Sequence, residues 1–366
     1  MFKNTHIWLP AYIRQKMSHN GSWKAVPRPI HIMFCFVDHF EPDWSNADEK
    51  TRLNRVMNWV ERYPELALRH RDGDGHPPRH TFFYPAEVFD KKLIHQLSFL
   101  CQKGIGEMEI HLHHDNDTEE GFRQKLHKAK EDFTQQGLLG KNKNSGETRF
   151  GFIHGNWALN NSRPDGRWCG VNNESKILKE EGCYADFTFP SAPSDTQPKK
   201  INSIYYTSSN DCTPKSHDHG VDVRSEGFQN GDLMLIQGPL ALNWKNRRQA
   251  IWPKIENGDI SATNPPTNER VDLWVDQRIH VQGRPEWIFV KVHSHGAPET
   301  NAKILLGKPL EEMLEYLESK YNDGRNYVLH YVSTREMYNI IKAAEAGENG
   351  NPGRYRNYLI ETRTRV

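Results

Sequence analysis

Ile30-His31-Ile32-Met33-Phe34-Cys35-Phe36-Val37, followed at once by Asp38-His39-Phe40-Glu41-Pro42, is the stretch that decides the fold. A nearly continuous apolar run describes a strand buried on both faces, as in a parallel sheet covered by helices. It stops abruptly in carboxylate and imidazole. Working outward, residues 48–68 fit a helix with Leu53, Val56, Met57, Val60 and Leu66 roughly on one face. The alternation then repeats. His80–Tyr84 reads as a strand and 86–102 as a helix; Glu107–Asp117 begins as a strand, and 118–136 reads as a helix. Arg149–His154 and Asp186–Phe189 are the next strands, with a helix near 173–181 between them. Strands alternating with helices of this length imply βα units and a parallel sheet.

Order weakens over 190–285, which is rich in Pro, Asn, Asp and Ser. With strands only at Ser203–Tyr206 and Leu233–Gln237, this span reads as long loops and small hairpins inserted on one face of the sheet. Regularity returns with a strand at Trp287–His293, a helix over 309–321, a strand at Tyr327–Val332 and a helix from Ser333 to Ala346. Ser333 and Glu336 have the spacing of a capping box. The expectation is one α/β barrel domain over 30–346, with an N-terminal arm (1–29) and a polar C-terminal extension (347–366).

Of 366 residues, 48 are basic and 47 acidic, a net charge of +1 that gives no electrostatic reason to expect nucleic acid. Mean hydropathy is −0.83, and no run of apolar residues is long enough for a transmembrane helix. The opening residues lack the apolar core of a secretory signal. Five widely spaced cysteines form no Cys-x-x-Cys pair, which suggests neither a disulfide framework nor a thiolate zinc site. A cytoplasmic location is the expectation.

Chemistry gathers where the strands end. Asp38, His39 and Glu41 follow the first, Tyr84 and Glu87 the second, and His111, His113, His114, Asp115 and Asp117 the third. His154 and Asn156 follow the fourth, His293 and His295 the Trp287–His293 strand. In parallel barrels the carboxyl ends of the strands carry the active site. His111 and His113 share a strand face by the two-residue period. Imidazole and carboxylate suit a divalent ion, zinc before cobalt or nickel. Hydrolysis also needs a base and an acid, roles that Asp38 and a histidine on another strand could divide. Tyr84, Trp157 and Trp168 are suited to stacking on sugar rings.

At these residues the chain resembles the NodB-like polysaccharide deacetylases, metal-dependent enzymes on a distorted (β/α)7 barrel. Phe36-Val37-Asp38-His39 is similar to that family's Thr-Phe-Asp-Asp, His80-Thr81-Phe82-Phe83 to its Ala-Thr-Phe-Phe. Glu109-Ile110-His111-Leu112-His113 with Asp117 resembles its Glu-Ile-Gly-x-His and later His, and Val290-Lys291-Val292-His293 its Leu-x-Leu-His. The resemblance implies Asp38 as base, His293 as general acid, and His39, His113 and Asp117 as metal ligands. His111, Asp115, His154, Asn156 and His295 stand in reserve as further ligands or substrate contacts. The implied activity is removal of an acyl group, acetyl above all, from an amino sugar or glycan intermediate. A nucleotide- or lipid-linked glycan at the inner membrane face, made for O-antigen, capsule or lipopolysaccharide, is a compatible substrate. The competing readings are a glycan-binding barrel without catalysis and a metal-dependent hydrolase of a non-sugar amide.

Overall fold

The computed structural model describes residues 3–19, 25–208, 213–248 and 252–362; Cys212 lies outside them. From the amino end run α1 (Thr5–His19), β1 (Ile30–His39), α2 (Glu49–Ala67), β2 (His80–Pro85), α3 (Lys91–Gln102), β3 (Gly106–Leu112) and α4 (Glu119–Gln135). Then come β4 (Gly140–Asn142), β5 (Thr148–His154), α5 (Glu174–Glu180), β6 (Cys183–Asp186), β7 (Ile204–Thr207), β8 (Gly220–Asp222) and β9 (Met234–Ile236). A hairpin, β10 (Ala241–Arg248) and β11 (Trp252–Glu256), precedes β12 (Asp259–Ile260) and α6 (Asn268–Val275). The chain ends with β13 (Trp287–Ser294), α7 (Glu299–Leu305), α8 (Lys308–Tyr321), β14 (Tyr327–Tyr331), α9 (Thr334–Glu345) and β15 (Ile360–Glu361).

The apolar run becomes β1, and both its edges are used. One edge pairs with β13 along its length, setting Val37 beside His293. The other pairs first with β14 (Ile30–Phe34) and then with β2, which sets His39 beside Phe83. The hydrogen-bonded path runs β12-β13-β1-β2-β3-β5-β6-β9-β7-β8. Pairing is parallel from β12 to β9, and β7 and β8 are antiparallel at the far edge. Beyond β8 an isolated parallel bridge joins Arg224 to Gln282, and Phe289 of β13 donates to the Ile279 carbonyl; among the described residues no longer ladder links the two ends of the path.

β1 serves two cores, which explains its missing alternation. Phe34 and Phe36 of β1 pack outward with Trp59, Leu66, Leu97 and Leu314 of the helices. Met33, Cys35 and Val37 point inward to Phe83, Ile153 and Phe289, where Met337 and Ile340 of α9 also pack. The helices begin where side chains can accept orphan amides: Asp48 on α2, Asp90 on α3, Thr118 on α4. The capping box of Ser333 and Glu336 is formed at α9.

Four expectations need correction. The N-terminal arm contains helix α1, which buries Trp8 and Tyr12 against Ala192, Ile201, Leu240 and Ala241; Ile13 and Met17 stay exposed, so no apolar stripe marks it in sequence. The span 190–285 is more than inserted loops, because β9 and β7 extend the main sheet past β6. The strand expected at Asp186–Phe189 lies at Cys183–Asp186. It stops there because the Asp186 carboxylate accepts from the Thr188 amide and hydroxyl, a local turn that competes with the ladder. The C-terminal extension is partly core: β15 pairs with β4, and Arg335 and Asn339 both donate to the carbonyl of Ile360.

Candidate metal centre

The pleat of β1 decides which polar residue enters the interior. Inward positions Met33, Cys35 and Val37 put His39 inside and send Asp38 to the helix side. On β3, Met108, Ile110 and Leu112 face the helices, so His111 faces inward, and His113 follows it just beyond the strand. Past the end of β1, Glu41 turns back over these rings. Its Oε1 lies 3.1 Å from Nε2 of His113 and 3.8 Å from Nε2 of His111. One donor atom from each of Glu41, His111 and His113 lies within 4.8 Å of the others. On its far side, Nδ1 of His113 donates to Oε1 of Glu87 at 2.5 Å.

More imidazole surrounds this trio. His39 meets His111 edge-on at 4.9 Å between ring centres and stacks on His295 at 4.7 Å. Trp157 contacts both His39 and His295, and Trp44 lies across His295, so two indoles wall the mouth. Buried atoms here lack hydrogen-bond partners: Oε2 of Glu41, Nε2 of His111 and Nδ1 of His39. Buried polar atoms are nearly always paired, so three orphans in one pocket point to a ligand that the protein is built to receive.

Protonation follows from the surroundings. Burial, then the neighbouring His295 and His111 rings, holds the pKa of His39 well below the ordinary imidazole value. Burial and His113 do the same to His111. Burial also opposes charge on His113, but hydrogen bonds to Glu41 and Glu87 outweigh it and raise that pKa to about 10.

The structure brings together His39, His111, His113 and His295 from the residues expected in sequence. The others lie elsewhere. Asp38 is buried on the helix side, where Oδ2 meets Nε2 of His80 at 2.7 Å and Oδ1 accepts from the Gly296 amide at 2.6 Å. Asp117 does not join His39 and His113; it binds Lys125 at 2.7 Å and approaches Nδ1 of His114 at 3.2 Å. Asp115 accepts from the Asn116 and Trp168 amides, which is turn chemistry. His154 turns to the helix side with His114, and the Asn156 amide donates to it. His293 points inward beside Val37, and burial first, opposed by Asp259, brings its pKa down to about 4. Tyr84 is sealed in the outer core. Trp168 is exposed, with the guanidinium groups of Arg163 and Arg167 at 4.3 and 5.2 Å from its ring centre.

Glu41 and Glu87 were visible at strand ends without an assigned role. The signal that marks them is position: each follows an inward-facing strand end by a few residues. The carboxylate oxygen of Glu41 and the ring nitrogens of His111 and His113 fit a zinc-type ion, for which carboxylate and imidazole are ordinary ligands. A carboxylate behind a ligating imidazole, as Glu87 is behind His113, fixes the tautomer that leaves Nε2 free for metal.

No family model and no curated protein matches the chain. Among solved structures it is similar to a GH57 branching enzyme from the hyperthermophilic archaeon Thermococcus kodakaraensis, crystallised with glucose. The TM-score is 0.41 at 10% identity, over 79% of this chain and 68% of that one.

Proposed function

We propose that this chain is a metal-dependent hydrolase that removes an acyl group from an amino sugar or glycan intermediate. The observation that carries the reading is the convergence of Glu41, His111 and His113 within 4.8 Å, with orphaned donor atoms, at the carboxyl ends of β1 and β3. These three residues would hold the ion, and Glu87 would orient His113. A divalent ion there supplies Lewis acidity and lowers the pKa of water. His39, with Nδ1 free, is the group placed to accept the proton of the attacking water. His295 at the mouth is placed to return a proton to the departing amine. These roles fall to His39 and His295 because both oxygens of Asp38 are committed and His293 lies deeper, beside Val37. Trp44 and Trp157 offer faces for a sugar ring. The resemblance to NodB-like deacetylases supports the amide as the bond cleaved, and surface-polysaccharide synthesis as the setting, by analogy.

A glycan-binding barrel without catalysis is the second reading, and one observation favours it. Held between Glu41 and Glu87, a protonated His113 is satisfied with no metal. Metal content and acetate release separate the two. The hydrolase takes up zinc, cobalt or nickel stoichiometrically, loses it in His111→Ala and Glu41→Gln, and releases acetate from N-acetylated sugar donors. Protein that takes up no metal at this centre yet binds such sugars belongs to the second reading.

A further inference from the structure

A second group of donors lies on the opposite face of β3 and β5, outside the proposed catalytic pocket. His114, His154, Cys169 and Glu174 each offer a donor atom within 4.8 Å of all the others, and all four residues are buried. Nε2 of His114 lies 2.8 Å from Oε1 of Glu174, and Sγ of Cys169 lies 3.0 Å from Oε2. Nε2 of His154 points at the same carboxylate from 3.7 Å, too far to bond, and has no partner although the residue is 0% exposed. The amides of Asn161 and Val171 donate to Sγ of Cys169 at 3.2 and 3.3 Å, but burial and the Glu174 carboxylate outweigh them and keep the sulfur a thiol until an ion replaces its proton.

We propose that His114, His154, Cys169 and Glu174 form a second, structural metal site for a zinc-type ion. The donor set, two imidazoles, one thiolate and one carboxylate, is that of a closed four-coordinate centre. Nε2 of His114 and Sγ of Cys169 each direct a proton at the Glu174 carboxylate, and Nδ1 of His114 lies 3.2 Å from Oδ2 of Asp117. When a divalent ion enters, those two protons leave Nε2 and Sγ, and the two atoms become ligands. His154 now accepts at Nδ1 from the Asn156 and Ala158 amides, both at 3.3 Å. To ligate through Nε2 it moves its single proton to Nδ1, and these two long contacts give way.

The ion would lock the 155–173 loop to the exits of β3 and β5. That loop needs a lock. Trp157, Asn160, Asn161 and Trp168 all have positive φ, between 50° and 69°, a left-handed conformation that non-glycine residues adopt only when their surroundings hold them there. The loop carries Trp157 onto His39 and His295. The second site therefore holds one wall of the first without touching substrate.

The test uses the full chain, stripped of metal and titrated with Zn²⁺ alone or Co²⁺ alone. Only the second site contains sulfur. Cobalt-loaded protein is expected to show thiolate-to-cobalt charge-transfer absorption in the near ultraviolet, and Cys169→Ser to lose that band together with one zinc per chain. Saturated wild-type protein without the band, or equal zinc content in wild type and Cys169→Ser, overturns the proposal. Should Cys169→Ser fail to fold, His154→Asn decides, since its amide oxygen can replace Nδ1 as acceptor while Nε2 is removed. Zinc affinity at this site should fall about tenfold or more, and an unchanged affinity overturns the proposal. Failure of the catalytic reading leaves a different trace, because loss of the Glu41, His111 and His113 centre removes one metal and keeps the band.

Discussion

Glu87 accepts a hydrogen bond from Nδ1 of His113 at 2.5 Å, while Nε2 of the same ring faces Glu41 at 3.1 Å. The ring is thus fixed between one carboxylate that orients it and another that shares its proposed ion. Removing the charge of Glu87 leaves the ring in place but weakens the preference for the tautomer that frees Nε2. Glu87→Gln should bind zinc about 10–100-fold more weakly, measured by competition with a chromophoric chelator, with little change in thermal midpoint.

Asp38 is the residue on which sequence and structure part most clearly. It joins β1 to His80 and to the Gly296 turn, inside the outer core. Asp38→Ala should cost about 3–5 kcal/mol, since removing one partner of a buried pair strands the other. Chemical denaturation reads that loss, and metal content per folded chain should stay at the wild-type value. A variant that is stable but has lost only turnover would return Asp38 to the role of base.

Gly155 packs against the face of His113. A β-carbon there would lie 2.3 Å from Cδ2 of the ring, and no real contact is that close. Half-buried His113 can yield, so Gly155→Ala should displace the ring more than it unfolds the chain. The expected result is weaker metal binding and slower acetate release, with a melting temperature within a few degrees of wild type.

Acid should destabilise the fold in part through His217. This ring is fully buried, stacked on Phe189, and burial first, then Lys215, lowers its pKa from 6.5 to about 3. Above pH 6.5 both folded and unfolded chains hold it neutral, and its full contribution to stability is present. As pH falls from 6.5 toward 3 the unfolded chain takes up a proton that the folded chain refuses, so stability is lost. The shift corresponds to a few kcal/mol, on the order of 1.4 per unit. Urea midpoints of His217→Gln should fall less steeply than wild type across that window.

The layered α/β arrangement was legible because β1 is apolar on both faces, and only strands covered on both sides need that. Chemistry at the strand ends was legible for the same reason, since imidazole and carboxylate crowd where the apolar runs stop. The phase of the pleat was not. With both faces apolar, nothing in Phe36-Val37-Asp38-His39 says whether Asp38 or His39 points inward. Asp117 was expected as a ligand because the resemblance to the NodB-like deacetylases implied it, whereas Glu41 reaches the same rings from the end of another strand, which that motif does not reveal. Cys169 and Glu174 meet His114 only because the 155–173 loop folds back. Helix α1 was hidden because its buried residues answer to a surface near residues 192–241.

The first strand of the sheet also sets the order in which the molecule can be completed. β1 is made long before its partners β13 and β14, which begin at Trp287 and Tyr327. Until those residues exist, one whole edge of β1 and the first half of the other have nothing to pair with. Contacts of such long sequence separation form slowly, and His39 cannot meet His295 before the chain through β13 has been made. His295 therefore joins the other imidazoles late in synthesis, and a newborn chain cut short before β13 carries Glu41, His111 and His113 without the ring that stacks on His39.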